Sequence, residues 1–175
     1  MEIERKFTIK RLPEQLESYP KKELEQGYLC KKPIIRVRRM KKNGKESYIL
    51  CYKSKLGLEQ KEDGLANVCE EVELRLTREA YETLLSKAEG RIITKTRYLI
   101  PYGAYTIELD VFGGVYFGLR FAEVEFPSEE EANAFLPPDW FDRDVTFDRR
   151  FRNNHLAMGE NAPEELRVDG YLEER

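Results

Sequence analysis

Glu2-Ile3-Glu4-Arg5-Lys6-Phe7 opens a period-two alternation. Glu2, Glu4 and Lys6 fall on one side, Ile3, Arg5 and Phe7 on the other, and Ile9 extends the second set. Successive side chains of a strand point to opposite faces, so this spacing predicts a strand with one charged face. The pattern returns in Ile34-Ile35-Arg36-Val37-Arg38 and in Tyr48-Ile49-Leu50-Cys51-Tyr52-Lys53. Between them Lys42-Asn43-Gly44-Lys45 predicts a hairpin turn, because Asn-Gly tolerates positive φ. Val68 to Leu76 sets Glu71, Glu73 and Arg75 against Val72, Leu74 and Leu76. Ile92 to Ile100 spaces Lys95 and Arg97 two apart. Tyr105 to Phe112 does the same with Glu108 and Asp110, and Leu119 to Phe126 with Glu123 and Glu125.

Helical signals are fewer. Thr77 can cap a helix running to about Ala88, with Tyr81, Leu84, Leu85 and Ala88 at helical spacing. Ser128-Glu129-Glu130-Glu131 is a capping box, and Pro137 and Pro138 end the helix it opens. A short helix is expected near Pro13 to Glu17. The class is therefore mainly β (α+β), with helices inserted between hairpins. The chain divides into one domain over residues 1–157 and a polar tail or helix over 158–175.

An isolated strand of this kind fits a sandwich with one wet face, a plain β protein with solvated charges. The collective pattern points elsewhere, because strand after strand pairs charges at i and i+2. If the strands close into a barrel, these faces all point inward and the apolar faces meet the helices. Unpaired buried ions cost several kcal/mol each. Such a lumen must be hydrated, internally paired or filled by a charged ligand. Arg and Lys suit phosphate oxygens. Clustered carboxylates suit hard divalent cations such as Mg2+ or Mn2+. A metal–polyphosphate complex satisfies both sets.

Composition narrows the field. Charged residues make up 36% of 175 residues, above the usual share of about a quarter. The signs nearly cancel at a net charge of -3, which is not the footprint of a nucleic-acid binder and gives no support to a membrane-surface role. No run approaches the roughly 18 apolar residues of a spanning helix, and the N-terminus carries no secretory h-region. Three widely spaced cysteines and one histidine make a structural zinc site a poor expectation; they read as reduced thiols in a cytoplasmic protein. His155 and Cys51 have no nucleophile–base motif around them. There is no G-x-x-x-x-G-K-[ST] run either, so a P-loop is excluded. Tyr28, Tyr48, Tyr52, Tyr98, Tyr105 and Tyr116 are expected on the outer barrel face.

Glu2-Ile3-Glu4-Arg5-Lys6 resembles the E-x-E-x-K signature of the CYTH superfamily, the triphosphate tunnel metalloenzymes. Further segments resemble that family in order: Gln26-Gly27-Tyr28-Leu29, Arg36-Val37-Arg38, Lys53-Ser54, Glu71-Val72-Glu73, Lys95-Thr96-Arg97-Tyr98, Glu108-Leu109-Asp110-Val111-Phe112, Gly118-Leu119 and Ala122-Glu123-Val124-Glu125-Phe126. Asp144-Val145-Thr146 and Arg152-Asn153 resemble its closing segment. The resemblance covers roughly residues 1 to 157 and is nearest to the small bacterial tripolyphosphatases.

The resemblance implies a closed eight-stranded antiparallel barrel, Mg2+ or Mn2+, and hydrolysis of inorganic tripolyphosphate or of an organic triphosphate such as ATP or thiamine triphosphate. Lys6, Arg36, Arg38, Lys53, Lys95 and Arg97 would hold phosphate. Glu2, Glu4, Glu71, Glu73, Asp110, Glu123 and Glu125 would supply metal ligands and the base that activates water, with Glu2, Glu4 and Lys6 closest to the chemistry; which acid is base and which ligand stays open. The chain departs from the pattern at Val68-Cys69, where many members carry a basic residue, so that contact is either absent or supplied by Arg75. It departs again at Phe141-Asp142-Arg143-Asp144, where a Gly and a Lys or Glu are common. The alternatives are a class IV adenylate cyclase and a non-catalytic polyphosphate-binding module. The expected partner is a small-molecule triphosphate, with no nucleic acid or membrane, for a monomer or homodimer.

Overall fold

The computed structural model describes residues 1–58 and 64–159; most of the expected tail, residues 160–175, lies outside them. Among the described residues, nine strands alternate with three short α-helices. They are β1 (Glu2–Ile9), β2 (Lys21–Lys31), β3 (Ile34–Lys42), β4 (Lys45–Ser54), β5 (Asn67–Arg75), β6 (Glu89–Tyr102), β7 (Tyr105–Phe112), β8 (Arg120–Glu125) and β9 (Phe141–Asp144), with α1 (Arg78–Leu85), α2 (Glu129–Ala134) and α3 (Asn153–Ala157). The spatial order is β5-β4-β3-β2-β6-β7-β8-β1-β9, and β1 also pairs with β5. Glu2 opposite Cys69 and Glu4 opposite Asn67 close the ring. The result is the expected closed eight-stranded antiparallel barrel. The short β9 pairs with β1 from Phe7 to Ile9, past the point where β5 leaves it.

Local signals account for the joints. Asn43 and Gly44 both take positive φ, 51° and 75°, as a two-residue hairpin loop that follows strand twist requires. Thr77 accepts from the Ala80 amide and caps α1. Ser128 accepts from the Glu131 amide and caps α2. The helix expected near Pro13 to Glu17 is a single 3-10 turn, Leu16–Ser18. Two strands escaped the alternation. In β2 the outer set is Glu23, Glu25, Gly27 and Leu29, without an apolar stripe; β9 has only four residues.

Apolar packing divides in two. Outside the barrel, Phe7, Tyr98, Ile107, Leu109, Val124 and Phe126 bury against Ala132 and Phe135 at α2 and against Trp140 and Phe141. Inside, Tyr28, Ile93, Phe112 and Phe121 join Tyr116, Val145, Phe151 and Leu156. Ile93, Phe112 and Phe121 share strand parity with Lys95, Asp110 and Glu123, so one end of the lumen is apolar and packed. Tyr28 belongs here. It is 1% exposed and pairs with Arg36 on the inward face, which corrects the expectation that it packs outside. The Gln26 amide donates to its hydroxyl, so the ring is held by polar groups that only the inner face supplies. The outer cover is also incomplete: Val72 and Leu74 on β5 are 44% and 57% exposed.

Candidate active site

Closure of the ladder turns the charged faces inward. They line a cavity of about 1150 Å³. Glu2, Glu4, Lys6, Arg36, Arg38, Lys53, Glu71, Glu73, Arg97, Glu123 and Glu125 all stand on its wall. Register explains the company each keeps. Lys6 lies opposite Glu123 and Glu4 opposite Glu125, Lys53 opposite Glu71, and Arg97 opposite Asp110.

One side of the lumen is internally paired. Arg97 Nε and Nη2 meet the two Asp110 oxygens at 2.6 and 2.7 Å, and Nη2 meets Glu123 Oε2 at 2.7 Å. Its third nitrogen holds Glu108. Lys6 Nζ reaches Glu123 Oε1 at 2.7 Å and donates to the Phe151 carbonyl. Burial works against the Glu123 charge, but Lys6 and Arg97 hold its carboxyl well below the usual range. Burial opposes the Asp110 charge too, and Arg97 and Lys95 lower its pKa. Burial, aided by nearby Arg97, draws the Lys95 ammonium down to about 8 although Asp110 pairs with it. Lys95 and Asp110 therefore sit behind the wall as a buried pair. Arg75 shares the inward parity but lies at the exposed end of β5 opposite Ile49, outside the lining.

The other side carries surplus charge of both signs. Arg38 donates to Gln26 Oε1 at 3.3 Å and forms no ion pair among the described residues. Burial and the nearby Arg36 and Arg97 pull its pKa down to about 10. Arg36 approaches Glu71 only at 3.7 Å, and its buried Nε has no hydrogen-bond partner among the described residues. Both guanidiniums are more than nine-tenths buried; against that burial Tyr28, Cys51 and Glu71 hold the Arg36 pKa above its ordinary value, whereas Arg38 lacks a carboxylate partner among the described residues, which fits an anion with several acceptor oxygens.

Beside them the acids crowd. Burial raises the Glu125 pKa, and the carboxylates of Glu2, Glu108, Glu71 and Glu4 add to it. Burial raises Glu2 as well, against the attraction of its partner Lys53. Glu4 and Glu2 lift Lys53 despite its burial. Carboxylates suit a hard divalent cation, and oxygens of Glu71 and Glu73 lie close enough to share one. Cys51 Sγ lies with oxygens of Glu71 and Glu73 in one group of possible ligands. Burial pushes that thiol up to about 11, so it serves as a donor to Glu71 at 3.1 Å rather than as a thiolate ligand. Cys69, pushed up to about 12 by burial, likewise donates to Glu2 at 3.2 Å.

Several lining residues carried no chemical signal in the sequence. Asn67 heads β5 beside Glu4. Lys55, Arg149, Arg152, Asn153 and His155 line the cavity near α3. Their spacing has no strand period, and only Arg152-Asn153 fell within a family-like segment.

No protein-family model matches the chain. A curated relative described as an inorganic triphosphatase, from Nitrosomonas europaea, is 39% identical over 160 residues, 90% of this chain and 97% of its own. A crystal structure described as that of an inorganic triphosphatase is 34% identical, with a TM-score of 0.61, and covers 90% of this chain and 95% of its own. A protein from Pyrococcus horikoshii OT3 shares the fold at 22% identity and a TM-score of 0.56, over 82% of this chain and 94% of its own. No described helix is long and apolar enough to cross a membrane. The near full-length identity, the ordered motifs and the closed charged barrel agree, and the chain belongs to the CYTH, or triphosphate tunnel metalloenzyme, superfamily.

Proposed function

We propose that this protein hydrolyses inorganic tripolyphosphate with Mg2+ or Mn2+ in the lumen of the barrel formed within residues 1–157. The observation that carries this reading is a buried Arg38 without a carboxylate partner among the described residues, in one cavity with the crowded acids Glu2, Glu4, Glu71 and Glu125. A metal–polyphosphate complex neutralises both at once. Tyr28 is the sole six-membered aromatic ring among the described lining residues, and it is 1% exposed. With the buried Tyr28 set aside, the imidazole of His155 is the one aromatic ring left on the described wall, little stacking surface for a nucleobase or thiazole, which favours an inorganic chain over an organic triphosphate.

Phosphoryl transfer asks mainly for position and charge stabilisation. Arg36 and Arg38 bind phosphate oxygens through forked donors. Lys6 and Arg97 bind from the opposite wall, already oriented by Glu123. Lys53 stands between the cage and the acids. Glu2, Glu71 and Glu125 would hold the cation, with Glu73 at the rim. When bound, the cation neutralises charge on the phosphate oxygens and lowers the barrier to attack. Glu4 takes the proton of the attacking water. Three free cysteines suit a reducing cytoplasm.

The test is phosphate release from tripolyphosphate, ATP, thiamine triphosphate and pyrophosphate, each with Mg2+, Mn2+ or chelator. Metal-dependent release fastest on tripolyphosphate and lost in Glu4→Gln is expected. Tight binding without release would mean a binding module, and cyclic AMP with pyrophosphate from ATP would mean a cyclase.

A further inference from the structure

β1 changes partner at Lys6. Its pairing with β5 ends at Glu4, opposite Asn67, and its pairing with β9 starts at Phe7, opposite Asp144. Lys6 falls in the gap, and the residues after β9 fill it. The Val145 amide donates to the Lys6 carbonyl at 2.8 Å. The Lys6 amide donates to Thr146 Oγ1 at 3.0 Å. A hydroxyl thus stands where a neighbouring strand would offer a carbonyl.

That hydroxyl is itself held. Thr146 is 7% exposed. Its Oγ1 donates to Asp144 Oδ1 at 2.5 Å, and its amide donates to the same oxygen at 2.9 Å. The other Asp144 oxygen accepts from Arg5 Nε and Nη2 at 3.0 and 2.7 Å. An ionised carboxylate only accepts. The hydroxyl hydrogen therefore points at Asp144, and an oxygen lone pair is left for the Lys6 amide.

The same segment holds the far end of Lys6. Its Nζ donates to the Phe151 carbonyl at 3.0 Å and meets Glu123 Oε1 at 2.7 Å. An ammonium carries three hydrogens. Two are engaged in this way, and the third has no acceptor among the described residues. Lys6 and Thr146 both line the cavity.

We propose that Thr146 is a positioning residue for tripolyphosphate binding: the chain Arg5–Asp144–Thr146 fixes the Lys6 backbone so that the remaining ammonium hydrogen meets a phosphate oxygen. This rests on the reading above of Lys6 as a phosphate ligand, and not on turnover. Thr146 acts through Lys6, so the two residues are energetically coupled.

The experiment is a double-mutant cycle on tripolyphosphate affinity, read by calorimetry with chelator present. It compares wild type, Thr146→Val, Lys6→Met and the double variant. Thr146→Ala repeats the deletion without added bulk, and Thr146→Ser keeps the hydroxyl. Thr146→Val and Thr146→Ala are expected to weaken binding about 5- to 10-fold, the scale of one lost hydrogen bond, and Thr146→Ser to bind as wild type. In the Lys6→Met background, Thr146→Val is expected to weaken binding no further. A merely structural role would lower affinity equally in both backgrounds, and that result would overturn the proposal. So would wild-type affinity in Thr146→Val and Thr146→Ala, or a loss in Thr146→Ser as large as theirs. If Lys6→Met binds as tightly as wild type, the reading of Lys6 as a phosphate ligand fails, and this inference with it. A loss in Lys6→Met with none in Thr146→Val removes only the role of Thr146.

Discussion

Arg97 shows how much one side chain carries in this barrel. It contacts Asp110, Glu108 and Glu123 and is nine-tenths buried. Removing one partner of such a network strands the others in low dielectric, a loss of about 3–5 kcal/mol. Arg97→Met is expected to lose stability on that scale in chemical denaturation at neutral pH. Arg11→Ala is the control: its pair with Asp139, at 2.8 Å, is mostly exposed, and exposed pairs are worth about 0–1 kcal/mol. Equal effects would mean the lumen charges are solvated like surface ones. The identities of Arg97, Asp110 and Glu123 were legible in the sequence, because i and i+2 spacing puts them on one face. Their division of labour was not, since register decides whether a carboxylate meets a guanidinium or another carboxylate. Asp110 falls opposite Arg97 and Glu123 between Lys6 and Glu108, whereas Glu4 falls opposite Glu125. Arg5 was equally opaque. It sits on the apolar face and is satisfied by Asp144 at 2.7 Å and the Ala132 carbonyl at 2.9 Å, partners more than a hundred residues away.

At the scale of elements, close approach fixes how the helices seat on the barrel. Gly27 on β2 leaves room for α1: an added Cβ would stand 2.8 Å from both Ala88 Cβ and Leu85 Cδ1. Gly90 on β6 leaves room for α3, has φ +71°, and would bring a Cβ to 2.9 Å from the Ala157 carbonyl carbon. The Leu85 tip can move, whereas Ala88 Cβ is fixed to its backbone; at Gly90 the obstacle is backbone itself and the left-handed φ adds strain. Gly90→Ala is therefore expected to cost more than Gly27→Ala, with both in the range of about 1–3 kcal/mol or above. Thermal unfolding of the two variants reads the order, and the reverse order would contradict the packing. Turns and caps such as Asn43-Gly44, Thr77 and Ser128 were visible in sequence because their chemistry is local. The packing of α3 on β6 was not, because it depends on what a glycine lacks.

For the molecule as a whole, the lumen gathers charges of both signs on one enclosed wall. Burial and crowding raise Glu125 and Glu2, so both take up protons more readily as pH falls. A divalent cation needs them ionised, and its binding releases protons. The rise in thermal midpoint given by Mn2+ is therefore expected to shrink as pH is lowered from 8 towards 5.5. A gain independent of pH would place the cation away from these acids.

A metal–triphosphate complex is expected in the barrel interior. The most direct measurement is a crystal structure of Glu4→Gln grown with Mn2+ and tripolyphosphate, with anomalous scattering to find the metal. Mn2+ is expected between Glu2, Glu71 and Glu125, and phosphates on Lys6, Arg36, Arg38 and Arg97. Tripolyphosphate bound outside the lumen, or Mn2+ on other residues, would contradict it.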